Sequence, residues 1–335
     1  MNIKYNIVII FETILIALLL IFSVYSYDNY KLLKQKESKK LRGFLSPNIY
    51  ANLIEPKEFN IVKFTPLESK IHDYIEKNKL NASVYIENLK NGADFSINEN
   101  EGFFPASLNK LPIAIIIMEK IESGQLRSET EVEILDSERS NLSGTLYKNH
   151  NKDLTVQELL EALLRESDNT AFNALSRFVS DDELERVLDY YDLDLNETYK
   201  FHYGYAAKNH SLVTVKATSN VLSSLYFSTV LEPEDSDYLL SLLTDTVFDI
   251  KKIAGLPDEV AVAHKFGAYY HQNSQFFHDC GILYIQKSRM IYCIMTKNAE
   301  PKNARNLFGF VVNETYHFVL DSRAKLDVYQ KQGQI

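Results

Sequence analysis

The sequence predicts an α+β protein: an antiparallel sheet flanked by helices, with a mainly helical subdomain, preceded by one transmembrane helix. Three observations predict this fold class. A pair of strand patterns opens the folded region, helical patterns fill its middle, and three strand patterns and a helix close it. Ahead of that region lies an apolar stretch of about one bilayer span.

The N-terminal stretch, residues 7–26, reads IVIIFETILIALLLIFSVYS, and Glu12 is its only charged residue. A soluble helix of this length is rarely apolar on every face. We therefore interpret residues 1–27 as a membrane anchor, which contacts the bilayer through residues 7–26. We expect it to stay uncleaved, because Val24-Tyr25-Ser26 is a poor cleavage site for signal peptidase.

Residues 28–65 carry a lysine cluster and then Pro47 and Pro56, with Pro66 directly after them, and show little hydrophobic periodicity. This composition is typical of a linker or stalk. From residue 66 to residue 335 the pattern becomes that of one compact domain. The predicted organisation is thus an anchor, a linker and a single folded domain.

Local patterns predict the elements of this domain. The segments 83–89 and 93–99 alternate around Lys90-Asn91-Gly92, which is a hairpin signal. Thr155 and Glu158 form a capping box, so a helix begins there and runs to about Glu166. Further helices are predicted over 67–79, over 107–123 with Gly124 ending it, from 170, and over 304–321, and strands over VAVAHKFG, FHDCGILYIQ and MIYCIMTKN.

Composition excludes several classes of function. The net charge of −9 argues against nucleic-acid binding. The chain has no GxGxxG, Walker A or HExxH motif, so no nucleotide cofactor or zinc site is predicted. Cys280 and Cys293 lack metal-ligand spacing. Two buried free thiols are the preferred interpretation of this pair, and a disulfide between neighbouring strands is the alternative.

Three short motifs occur in order along the domain. Ser107 and Lys110 form an S-x-x-K, and the i, i+3 spacing puts both side chains on one helix face. Ser167-Asp168-Asn169 lies where two helical segments meet, and Lys265-Phe266-Gly267 lies on the first late strand. Singly, these motifs are explained by a helix N-cap, a turn and a solvated strand lysine. Chance explains their order and structural contexts poorly.

With these motifs, the stretches PASLNKLPIA, LTVQELLEALLRESDNTAFNAL and VAHKFG resemble the active-site elements of class A β-lactamases and related penicillin-recognising serine enzymes. The resemblance covers residues 80 to 319 approximately. It implies a β-lactamase/transpeptidase-like fold and an acyl-enzyme formed on a serine, without a metal or other cofactor.

The resemblance also implies roles. Ser107 would be the nucleophile, Lys110 would take its proton, and Ser167 would relay a proton to the leaving nitrogen. Among the substrate-binding residues, Asn169 would hold Lys110 and the substrate amide, and Lys265 would orient Ser167 and attract the substrate carboxylate. The third motif continues with Gly267 and then Ala268, whose backbone N–H would form the oxyanion hole together with that of Ser107. Asp168 is interpreted as a structural turn residue.

Two positions depart from the family pattern. Phe266 stands where the family has Thr or Ser, so a hydroxyl donor to the substrate carboxylate is missing. We expect weaker recognition of ordinary penicillins, or a different acyl donor if the ring lies in the cleft. The deacylating glutamate also has no good counterpart, although Asp192, Asp194 and Glu197 are candidates beside the alternative of a solvated acidic turn. His264 either tunes the neighbouring Lys265 or points away from it.

The preferred hypothesis is a membrane-anchored serine hydrolase, cell-wall related, that acts on a β-lactam or a peptidoglycan stem peptide and is a poor β-lactamase. A true β-lactamase and a catalytically idle binding module of the cell envelope are the alternatives. Such substrates lie outside the cytoplasmic membrane of bacteria. We therefore expect a single-pass protein of the bacterial cell membrane with an extracytoplasmic domain, although the basic stretch 31–42 favours the opposite topology.

Overall fold

Five antiparallel strands form the main sheet in a computed structural model of the protein. The structure describes residues 63–149, 153–191, 193, 212–271, 274–286 and 288–331, without the side chains of residue 271 and residues 323–331. The strands of this sheet are β1 Ala82–Asn88, β2 Ala93–Ile97, β5 Ala261–His271, β6 Ser274–Ile285 and β7 Ser288–Lys297. They lie in the order β2-β1-β7-β6-β5. Two short strands, β3 Glu131–Val132 and β4 Leu154–Thr155, pair separately.

The predicted hairpin and the three late strands are confirmed. Asn88 pairs with Ala93 across the first turn, and Gly92 adopts φ +70°, a left-handed conformation that favours glycine. Strands β6 and β7 are buried along most of their length. They read as nearly continuous apolar runs because helices cover both faces of the sheet.

Helices cover the sheet and build a second layer beside it. The helix Val215–Phe227 packs against β6 and β7 on one face of the sheet, and the last helix packs on the other face together with the first. The helices are α1 Thr65–Lys77, α2 Lys110–Glu122, α3 Val156–Arg165, α4 Asn169–Ser176, α5 Asp181–Tyr190, α6 Val215–Phe227, α7 Pro233–Leu243, α8 Ile250–Ala254 and α9 Pro301–Lys331. The α+β class with a mainly helical part is thus confirmed.

Helix α2 is the centre of the helical part, where α3, α4 and α5 pack around it. Its residues from Ile113 to Ile117 are each at most 1% exposed, so the helix is apolar on every face because it is covered on every face. The capping box predicted at α3 is present: the Thr155 hydroxyl accepts from the Glu158 N–H, and the Glu158 carboxylate accepts from the Thr155 N–H.

Cys280 and Cys293 face each other across β6 and β7, and their sulfurs are bonded in a disulfide. The preferred interpretation of two free thiols is therefore wrong, and the alternative is correct. Both residues are fully buried, as free core cysteines would also be. Composition alone does not distinguish the two states, because pairing depends on the strand register that places these residues opposite each other.

The predicted membrane location requires correction. In the part of the chain that the structure describes, no helix has both the length and the apolar character needed to cross a bilayer. The predicted anchor, residues 1–27, and nearly all of the predicted linker, 28–65, lie outside the described residues. We therefore assign no membrane location to this protein.

Candidate active site

Ser107 lies in a single 3₁₀ turn, Ala106–Asn109, that leads directly into α2. The sequence predicted one continuous helix from Ser107, whereas the regular α-helix begins at Lys110. Ala106, immediately before Ser107, has φ +50°, which is unfavourable for a residue with a side chain. Strained backbone of this kind is concentrated at functional sites, and here it sets the position of the half-buried Ser107.

The Lys110 ammonium is the hub of the site. Its Nζ lies 3.3 Å from the Ser107 Oγ and 3.1 Å from the Ser167 Oγ. It also donates to the Ser167 carbonyl at 2.5 Å and to the Asn169 Oδ1 at 2.6 Å. The structure therefore brings Lys110 together with Ser167 and Asn169, which lie 57 and 59 positions further along the chain.

Burial determines the protonation of this amine. Lys110 is 2% exposed, and burial lowers its pKa well below the usual 10.5. The positive charge of Lys265 lowers the pKa further, and the carboxylate of Asp168 acts in the opposite direction. This lowering makes the neutral amine more accessible than in an exposed lysine. A neutral Lys110 can accept a proton from a hydroxyl 3.3 Å away, so the residue has the environment of a general base.

Asp168 holds the loop that carries Ser167 and Asn169. Its fully buried carboxylate accepts hydrogen bonds from the backbone N–H groups of Ala171 and Leu146, each at 2.9 Å. The first of these caps α4. Both contacts fit the interpretation of Asp168 as a structural turn residue. Ser167 itself has φ +54°, so a second strained residue lies at the site.

A neighbouring loop closes over this turn at Gly144. A Cβ added to Gly144 would lie 1.9 Å from the Asp168 Oδ2, and its φ of +83° also favours glycine. The Asn169 N–H donates to the Ser143 carbonyl at 3.0 Å. The second motif is thus clamped from outside by residues that sequence reasoning did not select, because their role depends on contact between segments distant in the chain.

Lys265 is buried on β5, with 2% of its surface exposed, and its Nζ donates to the Phe266 carbonyl at 3.1 Å. Burial lowers its pKa from 10.5 to about 7, although Asp279 acts to raise it. Two residues after Lys265, Gly267 allows β5 to lie against the 3₁₀ turn Ala106–Asn109, here called the serine turn. A Cβ there would lie 3.3 Å from the Ser107 backbone nitrogen, so a larger residue would push the strand away. The half-buried Ala268 follows at once.

Phe266 does not lie in the cleft. Its ring stacks on that of Phe248 and meets the ring of Phe308 edge-on, in the core on the α9 side of the sheet. Successive residues of a strand face opposite ways, so Lys265 and Gly267 face the serine turn while Phe266 faces the core. The sequence left the direction of this ring open, and the structure places it in the core and not in the binding cleft.

Another aromatic pair borders the serine turn. The rings of Phe104 and Tyr269 stack with 4.1 Å between centroids. His278, on the strand beside β5, donates from Nε2 to the Phe104 carbonyl at 2.7 Å. Burial lowers the pKa of His278 to about 4, so the ring is neutral at physiological pH and serves as a fixed donor. The sequence carried no signal for this contact, which joins residues 174 positions apart.

The predicted deacylation candidates Asp192, Asp194 and Glu197 lie outside the residues that the structure describes. Among the residues it does describe, no group of three or more His, Cys, Asp or Glu side chains could hold a metal ion.

The chain is similar to known proteins in both sequence and fold. Residues 66–319 match the model of the beta-lactamase enzyme family. The beta-lactamase VEB-1 of Pseudomonas aeruginosa is 22% identical over 74% of this chain and 87% of its own. The D-alanyl-D-alanine carboxypeptidase DacF of Bacillus subtilis is 27% identical over 32% of this chain and 27% of its own. The structure of PBP-A superimposes with a TM-score of 0.66 at 22% identity, covering 77% of this chain and 97% of PBP-A.

Proposed function

Since the chain belongs to the beta-lactamase enzyme family, we propose that it is a serine hydrolase that opens an amide or β-lactam bond through an acyl-Ser107 intermediate. The observation that carries this proposal is the convergence on the buried Lys110 Nζ of the Ser107 Oγ, the Ser167 Oγ and the Asn169 Oδ1. A purely structural lysine does not need a nucleophilic hydroxyl at hydrogen-bond distance. An acyl-transfer site does.

In the acylation step, neutral Lys110 takes the proton of the Ser107 hydroxyl as the Oγ attacks the carbonyl carbon. The carbonyl oxygen becomes an oxyanion, which accepts hydrogen bonds from the backbone N–H groups of Ser107 and Ala268. Each such donor contributes about 3 kcal/mol. The close approach of β5 to the serine turn at Gly267 supports this assignment. The Ser167 hydroxyl then passes its proton to the nitrogen and takes one from protonated Lys110, 3.1 Å away. The C–N bond breaks, and the acyl group remains on Ser107.

Substrate binding is assigned to Asn169, Lys265 and the backbone of β5. The side-chain amide of Asn169 lies beside Lys110. It can also form a hydrogen bond with an amide of the substrate. The Lys265 ammonium, when protonated, would attract a carboxylate of the substrate. A β-lactam and a peptidoglycan stem peptide both present an amide carbonyl beside a carboxylate, so the proposed substrate class is a small β-lactam or a wall peptide.

We expect weak recognition of ordinary penicillins and slow hydrolysis of the acyl-enzyme. Phe266 offers no hydroxyl to the substrate carboxylate and is turned into the core. Losing a hydrogen bond to a charged group costs about 1.5–3 kcal/mol. The chain also contains no Asp or Glu from Thr198 to Leu231, where an activating base would be sought. These two features favour a penicillin-binding peptidase over an efficient antibiotic hydrolase.

A true β-lactamase is the second candidate. It is favoured by the similarity to VEB-1, which extends over most of both chains. The third candidate, an idle binding module of the cell envelope, is disfavoured because binding alone does not require the two serines, two lysines and one asparagine of the site to be retained together.

One experiment separates the three. The full-length protein is incubated with a fluorescent penicillin and, separately, with a chromogenic cephalosporin. Stable labelling that is lost in Ser107→Ala supports the peptidase-like function, and multiple rapid turnovers support a β-lactamase. Ser123→Ala is the matched control, because Ser123 is an exposed serine at the other end of α2 whose hydroxyl donates to the Lys120 carbonyl. Absence of both signals at millimolar reagent overturns acylation by β-lactams and supports the binding module.

A further inference from the structure

A chain of polar side chains lies behind Lys265, on the core face of β5. The Tyr292 hydroxyl donates to the Asp279 Oδ2 at 2.7 Å, and the other carboxylate oxygen lies 2.7 Å from the His264 Nδ1. The His264 Nε2 forms a hydrogen bond with the Thr246 Oγ1 at 2.8 Å. His264 therefore points away from its neighbour Lys265, which is the second of the two alternatives considered from the sequence.

Because these side chains are buried, breaking a hydrogen bond between them destabilises the folded protein. Asp279 and Tyr292 are fully buried, and His264 is 3% exposed. A buried polar group left without a partner destabilises the folded protein, and a charged group does so more strongly. Burial and the carboxylate of Asp279 both raise the pKa of Tyr292, so its hydroxyl keeps the proton that it donates. Each member of the chain is thus held in place by the next.

The series of hydrogen-bonded side chains ends at Thr246, which lies in the loop of residues 244–249 between α7 and α8. Beside Thr246, the Val247 N–H donates to the Arg165 carbonyl at 3.0 Å, two residues before Ser167. Next in the loop, Phe248 stacks on Phe266. The loop is therefore attached to both strand neighbours of Lys265 and, through Val247, to the segment that carries Ser167.

We propose that Thr246, His264 and Asp279 are positioning residues that set the separation between Lys265 and Ser167. The inference rests on the proposed function, because it assumes that these two side chains act on one substrate. The physical reason is geometric: β5 belongs to the sheet and Ser167 to the helical part, and the 244–249 loop bridges them. Misplacement of a catalytic group by about 1 Å can cost about 100-fold in rate.

The test compares Thr246→Val, which removes the hydroxyl at nearly constant shape, with Thr246→Ser, which retains it. Thr244→Val is the matched control, since the Thr244 hydroxyl donates to the Ser241 carbonyl of its own helix end. With a reporter penicillin, we expect the limiting rate of Ser107 acylation to fall about tenfold or more in Thr246→Val. The reagent concentration at half-saturation should stay within about threefold, and the other two variants should match the wild type. Equal limiting rates in all four proteins would overturn the proposal.

Amide hydrogen exchange supplies a readout that does not need acylation. Protection of the Val247 N–H should fall about tenfold or more in Thr246→Val and persist in Thr246→Ser and Thr244→Val. If no protein is labelled by any reagent, the proposed function fails, and the exchange result still decides whether Thr246 holds the loop. Unchanged protection in Thr246→Val shows that it does not and overturns the inference.

Discussion

The ring of Phe266 lies flat against the ring of Phe248, with 3.9 Å between centroids and 8° between planes. This stack accounts for the aromatic residue in the third motif. The ring completes the core between β5 and α9 and leaves the face of β5 that meets Ser107 to Lys265 and Gly267. The departure from the family pattern thus removes a hydroxyl without placing a ring among the reacting groups.

Phe266→Ala should therefore act mainly on stability. Removal of a packed aromatic ring costs about 3 kcal/mol, less where the ring is partly exposed, as here. We expect the midpoint of urea unfolding to fall, while Ser107 is still labelled by a fluorescent penicillin. Phe266→Leu, which keeps most of the volume, should cost about 1 kcal/mol. Loss of labelling at full stability would contradict the position of this ring.

Gly144→Ala should disrupt the second motif. The added Cβ would meet the Asp168 carboxylate at 1.9 Å, so the 140–149 loop or the Ser167 turn must move. We expect slower acylation of Ser107 and lower thermal stability. Gly92→Ala is the control, because Gly92 has a similar φ of +70° but nothing within 4 Å of its added Cβ. It isolates the backbone strain, about 1 kcal/mol, from the clash. Equal effects of the two substitutions would refute the clash.

Lys265 should make stability depend on pH. Its pKa is about 7 in the folded protein and 10.5 ordinarily, so between these values the unfolded chain binds more protons. The free energy of unfolding should therefore rise with pH by about 1.4 kcal/mol per unit across this window, and this gain is lost as the pH falls through 7. We expect the difference in the free energy of unfolding between the wild type and Lys265→Met to show this slope, measured by urea titrations from about pH 7 to pH 10. A flat difference would mean that Lys265 stays charged when buried.

The cross-strand disulfide should contribute to stability. The bond closes a segment between residues 13 positions apart, and a loop of this size corresponds to about 3 kcal/mol. We expect the double variant Cys280→Ala/Cys293→Ala to unfold at lower urea concentration than the wild type. Alkylation in urea should modify neither cysteine until a reductant is added. Modification without reductant would show that the thiols are free.

Local patterns were sufficient to predict much of the fold. The hairpin at Gly92 and the capping box at Thr155 depend on residues a few positions apart, and both are present in the structure. The three late strands were predicted from continuous apolar runs, which buried strands share. Helix ends were less accurate: the last helix was predicted over 304–321 and extends over Pro301–Lys331. Amphipathic periodicity weakens near an exposed helix end, so it does not mark that end.

By itself, the sequence determined which residue types carry the chemistry, because Ser107 and Lys110 are one helical turn apart and such a pair is recognisable from its spacing. The tertiary structure decided which partners each of them meets. Four features depend on contacts between different strands, helices or loops: the face of β5 on which Phe266 lies, the disulfide opposite Lys265, the Gly144 contact with Asp168 and the hydrogen bond between His264 and Thr246. Their geometry follows from strand register and layer packing, which are set by the fold as a whole and leave no local pattern in the sequence.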